Sequence, residues 1–310
     1  MARRFSNLDG TAEVADLVDI LRWQLGFHDE KRPRAPATGV DVPTVANDGQ
    51  ALRHATKDAL TWIGHASFLI QLGGRSALVD PVLSDRLSAV VRRNVAPGLD
   101  WPALPKIDVV LVTHNHRDHM DGPTLKRLGS DPVYVVPRGL GDWFERAGLR
   151  RVVEMDWWQE EEIEGLRVTF VPSQHWSRRG LTDMNASWWG GYVLERGGLR
   201  VYHSGDTAWF DGFSLIGKRC GDIHAAMLPI GAYAPRWFMR PQHMDPADAV
   251  RAFEALGASK LVAMHWGTFK LTDEHLAEPP ELLREIWARS GLPDARRLVP
   301  AIGETLRLDR

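Results

Sequence analysis

One run constrains this chain more than any other: Val109-Val110-Leu111-Val112-Thr113-His114-Asn115-His116-Arg117-Asp118-His119. An apolar strand ends there in three histidines and one aspartate within six positions. Alternate side chains of an extended backbone share a side, so His114 and His116 point the same way. Asp118 and His119 follow in the next turn, and two adjacent ligand sets can then form at one strand end. Imidazole and carboxylate suit Zn²⁺ and related divalent ions, with Zn–N separations of ~2.0–2.1 Å. A lone histidine would ordinarily be a hydrogen-bonded structural residue. Four ligand-type side chains packed this closely point to metal.

Three later positions repeat the pattern singly. His175 follows the apolar run 168–172, Asp206 follows 199–202, and His265 follows 261–264. Each polar residue lies just past the carboxyl end of an expected strand, where loops gather above a sheet edge. Strands are expected at 61–72, 77–79, 108–112, 133–136, 166–171, 191–194, 201–202, 225–229 and 261–264. Helices are expected at 123–128, 140–147, 246–256 and 280–289, with Pro123 and Pro246 in first turns and Asp245 as an N-cap. Strands outnumber helices and some helices lie between strands. That pattern suits a layered α/β sandwich better than a doubly wound sheet.

Residues 1–57 read differently. Val14, Leu17, Val18, Leu21 and Leu25 fall at helical spacing and predict one amphipathic helix. It is expected to pack on its own domain, with a membrane-surface or partner contact as the lesser reading. A polar, proline-bearing arm follows over 31–50. Residues 58–310 have no interior linker and read as one domain.

Composition narrows the class. With 38 basic against 40 acidic residues the formal charge is −2, so no global field draws nucleic acid. The single cysteine, Cys220, excludes an intrachain disulfide and any multi-cysteine metal site. Neither a spanning apolar run nor a signal-peptide core is present, so a cytoplasmic protein is expected, with peripheral membrane contact as the variant. Tryptophan numbers 13 against 4 tyrosines. Most should serve packing, and some could wall a site for a greasy ligand.

The first motif with its downstream His, Asp and His resembles the metallo-β-lactamase superfamily of binuclear hydrolases. Within it the chain is similar to the N-acylphosphatidylethanolamine-hydrolysing phospholipase D family. The residues that carry this are Trp-Ile-Gly-His-Ala-Ser at 62–67, Asp-Pro-Val-Leu-Ser-Asp at 80–85, Gln174-His175-Trp176 with Asp183 and Asn185, and Trp189-Gly190. Gly205-Asp206-Thr207, the long stretch 229–239, Gln242-His243-Met244-Asp245-Pro246 and His265-Trp266-Gly267-Thr268-Phe269 complete them. The resemblance implies a four-layer αββα sandwich, two facing mixed sheets with helices outside and the metals at one edge.

It also implies roles. One zinc would be held by His114, His116 and His175, a second by Asp118, His119 and His265, with Asp206 and a water or hydroxide bridging; Mn²⁺ and Fe²⁺ are the alternatives. Asp118 and His243 would be catalytic, His243 contacting the phosphoryl group or helping the leaving alcohol depart. His65 and Asp80 would orient ligands from behind, and Gln242, Tyr233 and Arg236 would lie near the substrate. Arg236 could instead be an ordinary solvated arginine. Arg117 stands where mammalian relatives carry tyrosine. The implied reaction is attack of metal-bound hydroxide on N-acylphosphatidylethanolamine-like phospholipids or small phosphodiesters, giving N-acylethanolamine and phosphatidic acid. A lactone or carboxylic ester hydrolase on the same metals is the alternative, and a metal-bound protein without turnover is a second. No nucleic-acid partner is expected, and a homo-oligomer is compatible with everything above.

Overall fold

In the computed structural model, residues 4–11, 17–53 and 57–308 are described. The stretch 61–72, expected as one strand, is a hairpin of β1 (Ala59–Gly64) and β2 (Ser67–Leu72). The chain reverses at His65, whose φ is +54°. Every residue of both strands is buried, because both faces of this sheet are covered, and that removes the polar-apolar alternation.

β3 (Arg75–Val79), β4 (Val109–Leu111), β5 (Val133–Pro137) and β6 (Val152–Met155) extend this sheet in parallel steps beyond β3. The second sheet is built from β7 (Glu160–Ile163), β8 (Leu166–Val171), β9 (Gly191–Arg196), β10 (Leu199–His203), β11 (Ala225–Pro229), β12 (Lys260–Met264) and β13 (Arg297–Leu298). It runs in chain order, antiparallel from β7 to β10 and parallel from β10 to β13. A last strand, β14 (Thr305–Arg307), pairs antiparallel with β1. Among the described residues these make two mixed seven-stranded sheets.

Strand alternation sorts the core. In β2, Phe68 and Ile70 join the core shared with the second sheet, while Leu69 faces the other way. In β4, Val109 and Leu111 take the inner side and Val110 the outer. The outer side packs on α3 (Gly122–Leu128) through Leu125 and on α4 (Gly141–Arg146) through Phe144. Beyond the second sheet lie α5 (Gly212–Cys220), α7 (Pro246–Leu256) and α8 (Glu278–Ser290), contributing Phe213, Phe253 and Trp287 to the core. The result is an αββα sandwich. At the start of α7 the Asp245 side chain accepts the Asp248 N–H at 2.9 Å, the expected N-cap, with Pro246 in the first turn.

The amino-terminal helix α1 (Leu17–Gln24) turns the opposite way from its expected stripe. Val18, Leu21 and Leu25 are 69%, 54% and 61% exposed. Val14 lies outside the described residues. The anchoring side chain is Trp23, its ring tilted against Phe238 of α6 (Arg236–Met239) at 4.9 Å and its Nε1–H donating to Asp273 at 2.9 Å. A short α2 (Gln50–Arg53) closes the arm. Among the described residues no helix is long and apolar enough to cross a membrane.

Candidate metal centre

The chain ends of β1, β3, β4, β8, β10 and β12 meet at one edge of the sandwich, bringing His65, Asp80, His114–His119, His175, Asp206 and His265 together. His65, Asp80 and His265 are non-glycine residues with φ of +54°, +43° and +64°. Such conformations cost roughly 1–3 kcal/mol each and persist only where surroundings hold them. Here the His65 N–H donates to Thr268 Oγ1 at 2.7 Å, and the His265 N–H donates to the His65 carbonyl at 3.0 Å.

Three ring nitrogens form a first cluster. His114 Nε2 and His175 Nε2 lie 2.9 and 3.2 Å from His116 Nδ1. The far nitrogens of two rings are spoken for: His175 Nδ1 donates to the Gln242 carbonyl at 2.9 Å, and His114 Nδ1 meets Thr113 Oγ1 at 3.0 Å. Those bonds leave each Nε2 with its lone pair facing its neighbours. Trp176 stands edge-on to His116 at 4.4 Å.

The second cluster gathers Asp118, His119 and His265, with His65 beside them. Asp118 Oδ2 lies 3.0 Å from His65 Nε2, 3.7 Å from His119 Nε2 and 3.8 Å from His265 Nε2. Asp206 stands between the clusters, Oδ2 at 3.1 Å from His119 Nε2 and Oδ1 at 3.1 Å from His265 Nε2. Its Oδ2 is also 4.0 Å from both His175 Nε2 and His243 Nδ1.

The unsatisfied atoms of the donor set show what it fits. His119 Nε2, His265 Nε2, Asp206 Oδ1 and His243 Nδ1 are buried with no hydrogen-bond partner. Several nitrogens thus face carboxylate oxygens at short range without hydrogen-bond alignment. A concentration of orphaned donors and acceptors that would be costly in a core is what divalent-cation ligands require. The residues fit metal.

Electrostatics separate the histidines. Burial, with neighbouring imidazoles, pushes His65 and His116 down to about 3 and His175 to about 4, and takes His114 well below its usual range. Burial opposes protonation of His265 and His119 too, but the carboxylates win. Asp206 and Asp118 lift His265 to about 9, and with Asp80 they raise His119 well above normal. Asp118 and Asp206 are desolvated yet held well below the carboxylate range by the surrounding imidazoles.

The remaining expected residues divide. His243 is within reach, its ring 5.2 Å from His175 and kept neutral by burial. Gln242 contributes its backbone carbonyl to His175, while its side-chain Oε1 is buried and unpaired. Tyr233 is drawn away by its hydroxyl hydrogen bond to Glu278. Arg236 is neither a solvated arginine nor a free cation: it donates to Asp248 at 2.7 Å and the His243 carbonyl at 3.0 Å, and pairs with Asp245 at 3.2 Å.

Sequence reasoning missed the supports. Arg179 donates to the carbonyls of Asn115 and Met120 and braces the ligand turn. Glu274 accepts the N–H groups of Ala232 and Ala234 at 2.6 and 3.1 Å and shapes the 229–239 stretch. Asn7, 168 residues before His175, accepts the His175 backbone N–H at 3.1 Å. No short-range pattern marks such contacts.

The model of the beta-lactamase superfamily domain matches residues 75–266. A Caenorhabditis elegans protein named N-acyl-phosphatidylethanolamine-hydrolyzing phospholipase D 1 is 35% identical over 79% of this chain and 74% of its own length. A mitochondrial protein of the same name from Saccharomyces cerevisiae is 32% identical over 85% of this chain, which spans 58% of that protein. A metallo hydrolase from the archaeon Ignicoccus hospitalis superposes with a TM-score of 0.63 over 82% of this chain and 100% of its own, at 22% identity, and supports the fold alone. The chain therefore belongs to the metallo-β-lactamase superfamily of metal-dependent hydrolases, and within it resembles the N-acylphosphatidylethanolamine-hydrolysing phospholipase D family.

Proposed function

We propose that this chain is a binuclear zinc-dependent phosphodiesterase of phospholipase D type, acting on N-acylphosphatidylethanolamine-like phospholipids. The observation that carries the reading is Asp206, a buried carboxylate 3.1 Å from His119 and His265 of one cluster and 4.0 Å from His175 of the other. His114, His116 and His175 would hold one ion, and Asp118, His119 and His265 the other, with Asp206 shared. Two divalent ions in such a site supply Lewis acidity to water and to the oxygens of a phosphodiester.

The chain's own residues do the rest. His65 fixes the Asp118 carboxylate, and Asp80 fixes the His119 ring, so neither ligand must reorganise during turnover. His243 is neutral, and nearby cations would keep it so. It is therefore suited to hydrogen-bond a phosphoryl oxygen and not to deliver a proton to the leaving alcohol. Arg117 is exposed and lies in the chain between His116 and Asp118, and a cation carried there would suit an anionic diester better than a neutral ester.

A groove of about 490 Å³ beside Gln174, lined by Leu8, Trp209, Phe210 and Leu215 together with Asp9 and Asp211, offers apolar surface for acyl chains. The two relatives named for this reaction support the same substrate class. The test is a mass-spectrometric product assay on N-acylphosphatidylethanolamine in mixed micelles, with metal content measured on the same sample and His114→Ala beside it. Release of N-acylethanolamine by the parent alone is the expected result. No release from a chain carrying two metals would overturn the phospholipid assignment and direct the search to lactones and carboxylic esters.

A further inference from the structure

We propose that Asn7 is a positioning residue of the metal centre: its amide oxygen holds the backbone of His175, and through it the three-histidine pocket. Resting on the two-pocket reading above, this assigns the amino-terminal segment a part in the site that its sequence does not announce.

Asn7 is 6% exposed. Its Oδ1 accepts two hydrogen bonds, from the His175 N–H at 3.1 Å and from Trp189 Nε1–H at 2.9 Å. Both partners can only donate, which fixes the amide orientation: oxygen inward, with Nδ2 turned to Thr11 Oγ1 at 3.4 Å. The segment is braced to present this oxygen. The Gly10 N–H donates to the Asn7 carbonyl at 2.9 Å, the Asn7 N–H donates to the Thr11 carbonyl at 2.7 Å, and Asp9 Oδ1 accepts from both the backbone and the hydroxyl of Thr11.

The braced turn is then stapled to the loop that carries His175. The Phe5 N–H donates to the Asn185 carbonyl at 2.9 Å, and the Phe5 ring lies 4.2 Å from Trp188. Gln174 Nε2 reaches Asp9 Oδ2 at 3.2 Å and Thr11 Oγ1 at 3.3 Å. His175 is thereby held at both ends, its ring by the Gln242 carbonyl and its backbone by Asn7. Trp189 Nε1 has a second acceptor in the Ser173 carbonyl at 3.1 Å. The buried N–H of His175 lacks that alternative among the described contacts, so it depends on Asn7.

The consequence is selective. Without the Asn7 oxygen, the 174–176 backbone must turn its buried N–H elsewhere, and the ring that shares the pocket with His114 and His116 shifts with it. None of the hydrogen bonds above that tie the Asn7 turn to the site reaches Asp118, His119 or His265, so their pocket should be unaffected.

Cobalt titration of the metal-stripped full chain, read by visible absorption with a competing chelator, tests this alongside the melting temperature of each stripped variant. In Asn7→Leu one cobalt should bind as in the parent and the other ~10–100-fold more weakly. Trp189→Phe, which keeps the His175 contact, should bind both as the parent does even where its melting temperature falls. Should Asn7→Leu not fold, Asn7→Ser, too short to span both donors, carries the same expectation. Parental binding of both ions by the Asn7 variant, equal weakening of both, or the same one-site loss in Trp189→Phe would each overturn the inference. A parent that binds fewer than two ions would overturn the two-pocket reading as well.

Discussion

Asp80 and His119 meet in the interior at 2.7 Å, carboxylate Oδ2 to ring Nδ1, with both side chains fully buried. The same carboxylate accepts the Thr113 N–H on Oδ1 at 2.7 Å and the Thr113 hydroxyl on Oδ2 at 2.6 Å. Asp80 thus joins the end of β3 to the end of β4 and fixes which nitrogen of His119 faces the metal site. Asp80→Asn keeps the shape and removes the charge. We expect it to weaken one metal pocket by ~10–100-fold, the one containing His119. Equilibrium dialysis of metal against the stripped variant checks this; unchanged affinity for both ions would deny Asp80 an orienting role.

The legible parts of this architecture are those written over short distances. His114, His116, Asp118 and His119 lie within one turn of β4's end, and His175, Asp206 and His265 each follow an apolar run, so strand-end reasoning finds them. The hairpin reversal at His65 was hidden because both faces of β1 and β2 are buried, so the apolar run resumes directly after the short Gly64-His65-Ala66-Ser67 interruption. β7 reads Glu-Glu-Glu-Ile, an edge strand whose charges mask its pattern while guarding the sheet edge. α5 was missed because Gly217 lowers helix propensity; the helix needs it, since a Cβ there would stand 2.4 Å from the Leu256 carbonyl of α7. The α1 stripe misled for a different reason. Periodicity identifies an apolar face but not whether the rest of the molecule covers it, and here Trp23 on another face supplies the anchor.

That orientation of α1 separates two substitutions. Leu21 is 54% exposed, so Leu21→Ser should change unfolding free energy by no more than about 0.5 kcal/mol. Trp23→Ala removes the ring contact with Phe238 and the bond to Asp273 and should cost roughly 1–3 kcal/mol. Urea unfolding of both variants distinguishes them. The reverse ranking would mean that the apolar stripe packs inward after all.

His243 offers a hydrogen bond at the mouth without carrying charge. Its Nδ1 is buried and unpaired, and its ring is held neutral by burial. His243→Ala should keep the full metal content and lower kcat by ~10²–10³, the usual loss of one donor to a developing oxyanion. Metal analysis and steady-state kinetics on the same preparation test it. Loss of a metal would instead place His243 among the ligands, and unchanged kcat would remove it from the chemistry.

Stability against pH should show opposite slopes on the two sides of pH 6.5 once the metals are stripped. His65 and His116, at about 3, and His175, at about 4, are depressed by burial, so the unfolded chain binds more protons than the folded one below pH 6.5. Their contribution is present above that value and is lost as pH falls towards 4. His265 behaves the other way. Raised to about 9 by Asp206 and Asp118 against the cost of burial, it contributes stability that is complete below 6.5 and lost as pH rises through 9. His119, raised by the same carboxylates and Asp80, adds to that loss. Loading the metals replaces those two protons, so competition weakens as pH rises and binding tightens. Melting temperatures from pH 4 to 9.5 should therefore peak near 6.5 for the stripped chain and hold or rise to 9 for the loaded one. A stripped chain whose melting temperature climbs between pH 6.5 and 9 would show that His265 and His119 are not the protonated partners of Asp206.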